Sequence, residues 1–425
     1  MTNRVAFSIL IWLIVLVSRP IAAAGADEGP LDFQIELAPA HQGFDGKTCW
    51  VHARAGVLPP GSPANSGSTP LVVMTMQKLL LTGSDVFYPL HTLWTGDLGK
   101  TWTEPKLEPV FARRKMGDAV EMTVCDFWPK WHSATGKLLG TGHTVWYQDN
   151  RVQEDRKRRT AYAVYDPAAG AWLPWKALEM PDDPRFDNAG AGCTQRYDLP
   201  GGDVLLPIYF SRVGERNFSA TVVRCRFDGE TLSYVEHGSL LSLDVPRGFA
   251  EPSLTKFGDR FFLTLRNDQA GYVTSGPDGL HFDQLKKWTF DDGADLGNYN
   301  TQQHWVTHTD GLFLVYTRRG ANNDHVFRHR APVFIGRVDP DRLCVVRSTE
   351  RVLVPQRGAR LGNFGVTDVG PQETWVTAAE WMQTWGPNYV MPVDNKYGAD
   401  NTIWVAKIKW SKPTRRDESL TPQRD

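Results

Sequence analysis

Short apolar runs broken by turn residues dominate the chain. Leu71-Val72-Val73-Met74, Phe261-Phe262-Leu263 and Leu312-Phe313-Leu314-Val315 are rich in β-favouring side chains and are bounded by Gly, Asp, Asn or Pro. Long amphipathic helical periodicity is missing from the sequence. The pattern predicts an all-β protein. One hairpin unit, an apolar strand, a turn with Asp or Gly and a second apolar strand, recurs at 129–142, 194–209, 252–266, 304–317 and 364–380, with a longer copy at 50–82. Six copies predict a six-bladed β-propeller of four-stranded antiparallel sheets. Segments 33–37 and 401–410 are expected to pair in one blade, closing the ring and removing free edges.

The ends read differently. Asn3 and Arg4 precede an apolar run from Val5 to Val17, and Ala22-Ala23-Ala24 follows. A basic start, a short apolar middle and an A-x-A-like exit describe a secretory signal over 1–24, which implies export to the periplasm or outside the cell. The propeller would then occupy 25–410, and the charged, Pro-containing 411–425 would form a disordered tail.

Composition removes several classes. Lys plus Arg number 47 against 48 Asp plus Glu, so charge gives no reason to expect nucleic acid or a membrane as partner. Five cysteines with no CxxC pair are too few for a disulfide framework, and no zinc-type spacing occurs, so neither metal nor cofactor is expected. Sixteen Trp, 38 Gly and 28 Pro fit a turn-rich β architecture.

The turns repeat as well. Thr95-Gly96-Asp97-Leu98-Gly99-Lys100-Thr101-Trp102 fits S/T-x-D-x-G-x-T-W, and Ser275-Gly276-Pro277-Asp278-Gly279-Leu280-His281-Phe282 is a degenerate copy. Weaker echoes place Asp166, Asp228 and Asp339 at equivalent turns. In such a turn Asp accepts backbone N–H groups while Gly supplies a positive φ. The unit resembles the Asp box of sialidases and related propellers, where it marks the fold rather than the chemistry.

In a propeller the first residues of the inner strands face the central channel. Those positions are His52, Arg54, Asp126, Gln195, Glu251, Gln303, His304, Asn363 and Phe364, with His143, Tyr209, Arg266, Arg318 and Glu380 at the ends of the second strands. The sialidase resemblance implies roles for some of them. Sialidases hold the substrate carboxylate with three arginines, since a guanidinium fork matches a carboxylate. Arg54 in Val51-His52-Ala53-Arg54, Arg266 at the end of the segment led by Glu251, and Arg330 in His329-Arg330-Ala331-Pro332 are similar to those three, with Arg318, Arg319 and Arg328 as competitors. Glu251 and Asp85 fall where the family keeps proton-handling carboxylates.

The resemblance departs at the nucleophile. Sialidases use a Tyr near the start of the last blade, whereas Gly362-Asn363-Phe364-Gly365 places Phe364 there. Either Tyr299 or Tyr209 serves instead, or the retaining mechanism does not run. His52, His143 and His304 offer acid–base alternatives, and Gln303 is a substrate-binding candidate. The polar segment from Arg318 to His325 is expected to be a substrate-selecting loop. The sequence thus implies a sialidase-like glycoside hydrolase acting on an acidic sugar. Its rivals are a His-dependent lyase or non-sialic glycosidase on uronate glycans, and a non-catalytic carbohydrate-binding propeller.

Overall fold

The computed structural model describes residues 29–117, 119–153, 157–384 and 393–415. The expected signal segment 1–24 lies outside them. Among the described residues the strands form six antiparallel sheets. The first holds Thr48–Leu58, Leu71–Leu80, Phe87–Thr95 and Lys106–Leu107. The second is led by Val120–His132, the third by Asn188–Gly190, the fourth by Ala250–Phe257, the fifth by His304–His308 and the sixth by Gly365–Gly370. Each leading strand packs against its counterpart in the preceding sheet or against that sheet's second strand, and the first meets the sixth, so the sheets form a β-propeller.

The sheets depart from a uniform four strands. The second carries seven, and the third and fifth carry five each, because short strands such as Arg114–Lys115 and Arg151–Val152 extend the long hairpin of the second sheet. The ring closes as the sequence predicts: Phe33–His41 pairs with Ile403–Trp410, Phe33 opposite Trp410. Part of the expected tail is also tied down. Ser411 N donates to Asp32 O and Thr414 N to Pro371 O, and Arg415 reaches Asp310 at 3.0 Å.

The core lies between sheets. Six hydrophobic clusters are found, one for each neighbouring pair. Leu58, Val73 and Leu90 of the first sheet meet Val124, Phe127 and Leu138 of the second, for example, and every one is buried. This arrangement follows from the sequence: strands sandwiched between two neighbours show continuous apolar runs rather than strict alternation. Gly140 is required there, since a β-carbon at that position would stand 2.1 Å from the Phe127 ring.

The outer turns are built on aspartate. Asp97 accepts backbone N–H groups of Lys100 and Thr101, both at 3.0 Å, and the Thr101 hydroxyl at 2.7 Å. Asp166, Asp228, Asp278 and Asp339 each accept two successive backbone N–H groups in the same way. Gly99 sits at φ +76°, and Trp102 packs on Trp375 with ring centroids 6.0 Å apart.

At the opposite, inner end the backbone is irregular in or beside five of the leading strands. His52, Asp126, Cys193, Glu251 and Asn363 all have positive φ, between 47° and 63°. In the first, second and fourth sheets this coincides with a break in strand register. An extra residue in left-handed conformation bends the strand and re-aims its side chain. Polar groups from five sheets are thereby brought to one end of the channel.

Candidate functional site at the channel mouth

Asp126 is the hub of the mouth. His52 Nε2 lies 3.1 Å from its Oδ1, His143 Nε2 3.5 Å from its Oδ2, and the Cys193 thiol donates to Oδ1 at 2.6 Å. Arg54 donates to Asp126 Oδ1 at 3.4 Å and to Cys193 Sγ at 2.8 Å. Burial opposes the negative charge on Asp126, but the Arg54 guanidinium and the hydrogen bond from the Cys193 thiol keep the carboxyl below the usual range while the imidazoles are neutral. The histidines respond oppositely. Burial, with Arg158 in support, pushes His143 down to about 3, and burial lowers His52 as well. Both imidazoles are neutral at pH 7.

Ligand atoms of Cys125, Asp126 and His143 lie within 4.8 Å of one another, close enough to surround a metal ion. The donor set fits one poorly. Burial raises the Cys125 thiol far above its ordinary range, and Arg54 already supplies the positive charge that Asp126 needs. The group is an ion-pair network.

A second cluster adjoins the first. Arg266 donates to Glu251 Oε1 at 2.5 Å, to Asn300 Oδ1 at 2.9 Å and to Asp268 at 3.4 Å. Glu251 and Asp268 overcome the cost of burial and raise the basicity of Arg266. Arg330 is different. It is 3% exposed, and its guanidinium donates to the backbone and side-chain oxygens of Asn300, with no ion pair to a carboxylate among the described residues. Burial, with Arg266, Arg328 and Arg360 nearby, pushes Arg330 well below the usual guanidinium range. Asp85 is exposed, and its charge acts on both Arg328 and Arg360.

Several expected residues lie elsewhere. Arg54 was expected to clamp substrate beside Arg266 and Arg330, yet its side chain is fully buried against Asp126 and Cys193. Arg328 and Arg360 neighbour Arg330 instead. Gln303, expected to bind substrate, is buried and bonds the Thr264 hydroxyl and the Thr301 carbonyl. Arg318 is committed to Glu350 at 2.6 and 2.8 Å and lies over Phe334, bracing the fifth sheet. Asn323 bonds the carbonyls of Arg318 and Ala331, so the expected recognition loop is pinned at its centre.

His304 is part of a plug. Its ring meets Trp128 at 4.7 Å and Phe364 at 5.2 Å, and its Nδ1 bonds Ser253 at 2.8 Å. Burial drives its pKa well below the ordinary value. Gln195 spans from the third sheet to the Trp305 backbone of the fifth, at 2.8 and 2.9 Å. Beyond this level, further along the same strands, lies a cavity of about 390 Å³ lined by Lys130, Arg196, Thr255, Thr307 and Thr367. Phe364 therefore has a packing role where the resemblance places a nucleophile.

Two functional candidates had weak sequence signals. Cys193 belongs to no sequence motif; its left-handed backbone, shared with Asp126 and Glu251, accompanies its place at the mouth. Arg360 sits three residues before Asn363 and reaches the cluster because its segment leads into the sixth sheet.

Comparison with solved structures agrees with this architecture. The chain superposes on a Dyadobacter fermentans protein of unknown function with a TM-score of 0.59 at 13% identity, covering 89% of this chain and 99% of that one. A Hadza microbial sialidase follows at 0.55 and 11% identity, covering 86% and 66% respectively. Trypanosoma rangeli sialidase superposes at 0.51 and 10% identity, covering 84% of this chain and 55% of that one. No protein-family model and no curated protein matches the sequence. The class defined by the fold is the sialidase-like β-propeller. This chain has that fold at an identity too low to carry the sialidases' activity with it.

Proposed function

We propose that the protein is an exported, sialidase-like glycoside hydrolase whose six sheets count as six blades, with Asp-box turns outside and an acidic sugar bound at the channel mouth. One observation carries the reading: Arg330 is a buried guanidinium that makes no ion pair with a carboxylate among the described residues, beside Arg266, Arg328 and Arg360. A buried cation held without its counter-ion is costly for the fold and preorganised for an anion. Arg266 and Arg330 bind the sugar carboxylate. Glu251, Asp85 and Asp268 are carboxyl groups within reach of the same site, Glu251 and Asp85 being the proton-handling candidates, and His52 and His143 line its neighbouring wall.

The phenylalanine at position 364 favours a second reading, in which chemistry depends on histidine and the substrate is a uronate glycan. Purified mature protein incubated with a panel of sialylated and uronate-bearing glycans, with products identified by mass spectrometry, tests both. Release of a free acidic sugar supports the hydrolase. A product with a new double bond supports elimination, and saturable binding without product supports a carbohydrate-binding propeller. Failure of every acidic glycan to bind sinks the proposal.

A further inference from the structure

The channel has a second end. Past the plug of Trp128, His304 and Phe364, the cavity of about 390 Å³ takes its wall from all six sheets, from Gly56 in the first to Thr367 in the sixth. That volume falls within the range of small-molecule pockets, about 300–1,000 Å³. Four aromatic side chains line it, Trp128, Trp131, Tyr197 and Trp305, and neither Arg266 nor Arg330 of the mouth does.

Most polar groups of this wall are already engaged. The Thr255 and Thr307 hydroxyls bond each other at 2.7 Å, and the Thr367 hydroxyl donates to the Ala55 carbonyl. Gln195 uses both ends of its amide on the Trp305 backbone. Arg196 donates to Asp198 and to the carbonyls of Leu139 and Lys130. A polyhydroxylated ligand would find few open partners here. Lys130 is the exception. An ammonium has three donors. One goes to the Arg196 carbonyl at 2.8 Å, while Asp198 stands 4.0 Å away and is already held by Arg196. Two donors are left without a protein acceptor among the described residues. Solvent reaches 42% of the Lys130 side chain, yet burial lowers its basicity. The ammonium thus stands in a space that water enters and protein encloses, where attraction for an anion is strong. Lys256 adds another positive charge to the wall, against Asp368 at the exposed rim.

We propose that this far cavity is a second binding site, taking a small aromatic acid whose flat ring lies against the tryptophans and whose carboxylate meets the Lys130 ammonium. The site is separate from the channel mouth and does not depend on the glycan reading. Its walls supply what such a ligand needs: apolar ring faces for an aromatic body, and one cation with donors to spare for the charge. A neutral aromatic forgoes the ion pair, and a sugar forgoes the ring contacts while meeting hydroxyls that are already bonded.

Calorimetric titration with 2-naphthoate tests it, with 2-naphthamide as the uncharged counterpart. The wild-type protein binds naphthoate saturably and the amide about tenfold more weakly or worse, because the amide cannot pair with the ammonium. Lys130→Met keeps the length of the side chain and removes its charge; it weakens naphthoate by about tenfold or more and leaves the amide within about threefold. Arg330→Gln leaves naphthoate affinity unchanged, which separates this cavity from the mouth. Absence of saturable binding by the wild-type protein, or equal affinity for acid and amide, overturns the proposal without recourse to any variant. Naphthoate binding that survives Lys130→Met in full, or that is lost in Arg330→Gln, overturns it too, the latter by placing the acid among the arginines of the mouth. Trp131→Leu is a second variant that leaves Lys130 in place. It weakens acid and amide alike by about threefold or more through loss of a ring contact, and unchanged affinity for both overturns the aromatic class of ligand. Success or failure of acidic glycans at the mouth alters none of these outcomes.

Discussion

Arg266 and Arg330 donate to the same side-chain oxygen of Asn300, at 2.9 and 3.3 Å, although only Arg266 has carboxylates of its own. Two like charges thus converge on one neutral acceptor. Arg330→Gln removes a desolvated cation with no counter-ion, and stability is expected to stay level or rise by about 1 kcal/mol. Affinity for an acidic glycan falls by at least about tenfold, because a bidentate partner is lost. Urea unfolding and calorimetric titration of the same preparation check the two halves together.

Glu251 behaves in the opposite sense. It holds Arg266 at 2.5 Å, and both groups are buried. Glu251→Gln leaves a buried guanidinium with only Asp268 as a charged partner. The expected loss is about 3 kcal/mol in urea unfolding, with Arg266→Met in the Glu251→Gln background recovering part of it. A double-mutant cycle that gives no coupling would remove the pair from the account of stability.

Gly192→Ala should strike the His143 position directly. The new β-carbon would stand 2.3 Å from Nδ1, so the imidazole must leave the Tyr209 hydroxyl, 3.0 Å from it, or the backbone must move. A loss of about 1–3 kcal/mol is expected from overpacking, read as a lower urea midpoint. Gly201→Ala, at a position with open space around it and no left-handed backbone, is the control for a bare glycine effect.

Stability should fall on mild acidification. His143 stays neutral in the folded protein down to about 3, and burial also lowers His52 and His304. In the unfolded chain imidazole protonates near about 6.5. Between these values the unfolded state binds more protons, so stability is complete above about pH 6.5 and declines as pH drops toward 3. Asp126 adds nothing to that decline until the pH reaches the ordinary carboxylate range near about 4, since its own shift is downward. Urea midpoints measured from pH 7.5 to 4.5 should decrease steadily; a flat profile would mean that these imidazoles are protonated in the fold.

The architecture was legible because its signals are local and repeated. Asp97 and its four echoes each write a turn in a few residues, and the paired terminal strands were visible as the leftover ends of a six-fold pattern. The site was legible only in part. Arg266 and Arg330 do meet, and Asp126 does face the mouth. Arg54 and His304 were misplaced because position along a strand says which end of the channel is near, but not whether the side chain meets solvent or plugs the pore. A one-residue register shift at His52 turns Arg54 inward, and nothing in Val51-His52-Ala53-Arg54 announces it. Arg318 failed for another reason: its partner Glu350 is distant in sequence, so a local reading sees an unpaired cation.

The closure of the ring has a consequence for how the protein comes into being. Phe33–His41 finds its mate only in Ile403–Trp410, so the first strand made waits for one of the last. Until the final sheet is delivered, that early strand presents unsatisfied amides and carbonyls to any neighbour able to add an edge. Newly made copies emerging side by side are therefore at greatest risk of pairing with each other during synthesis. A helper that shields residues 33–41 in that interval would raise the yield of folded protein without altering its final stability.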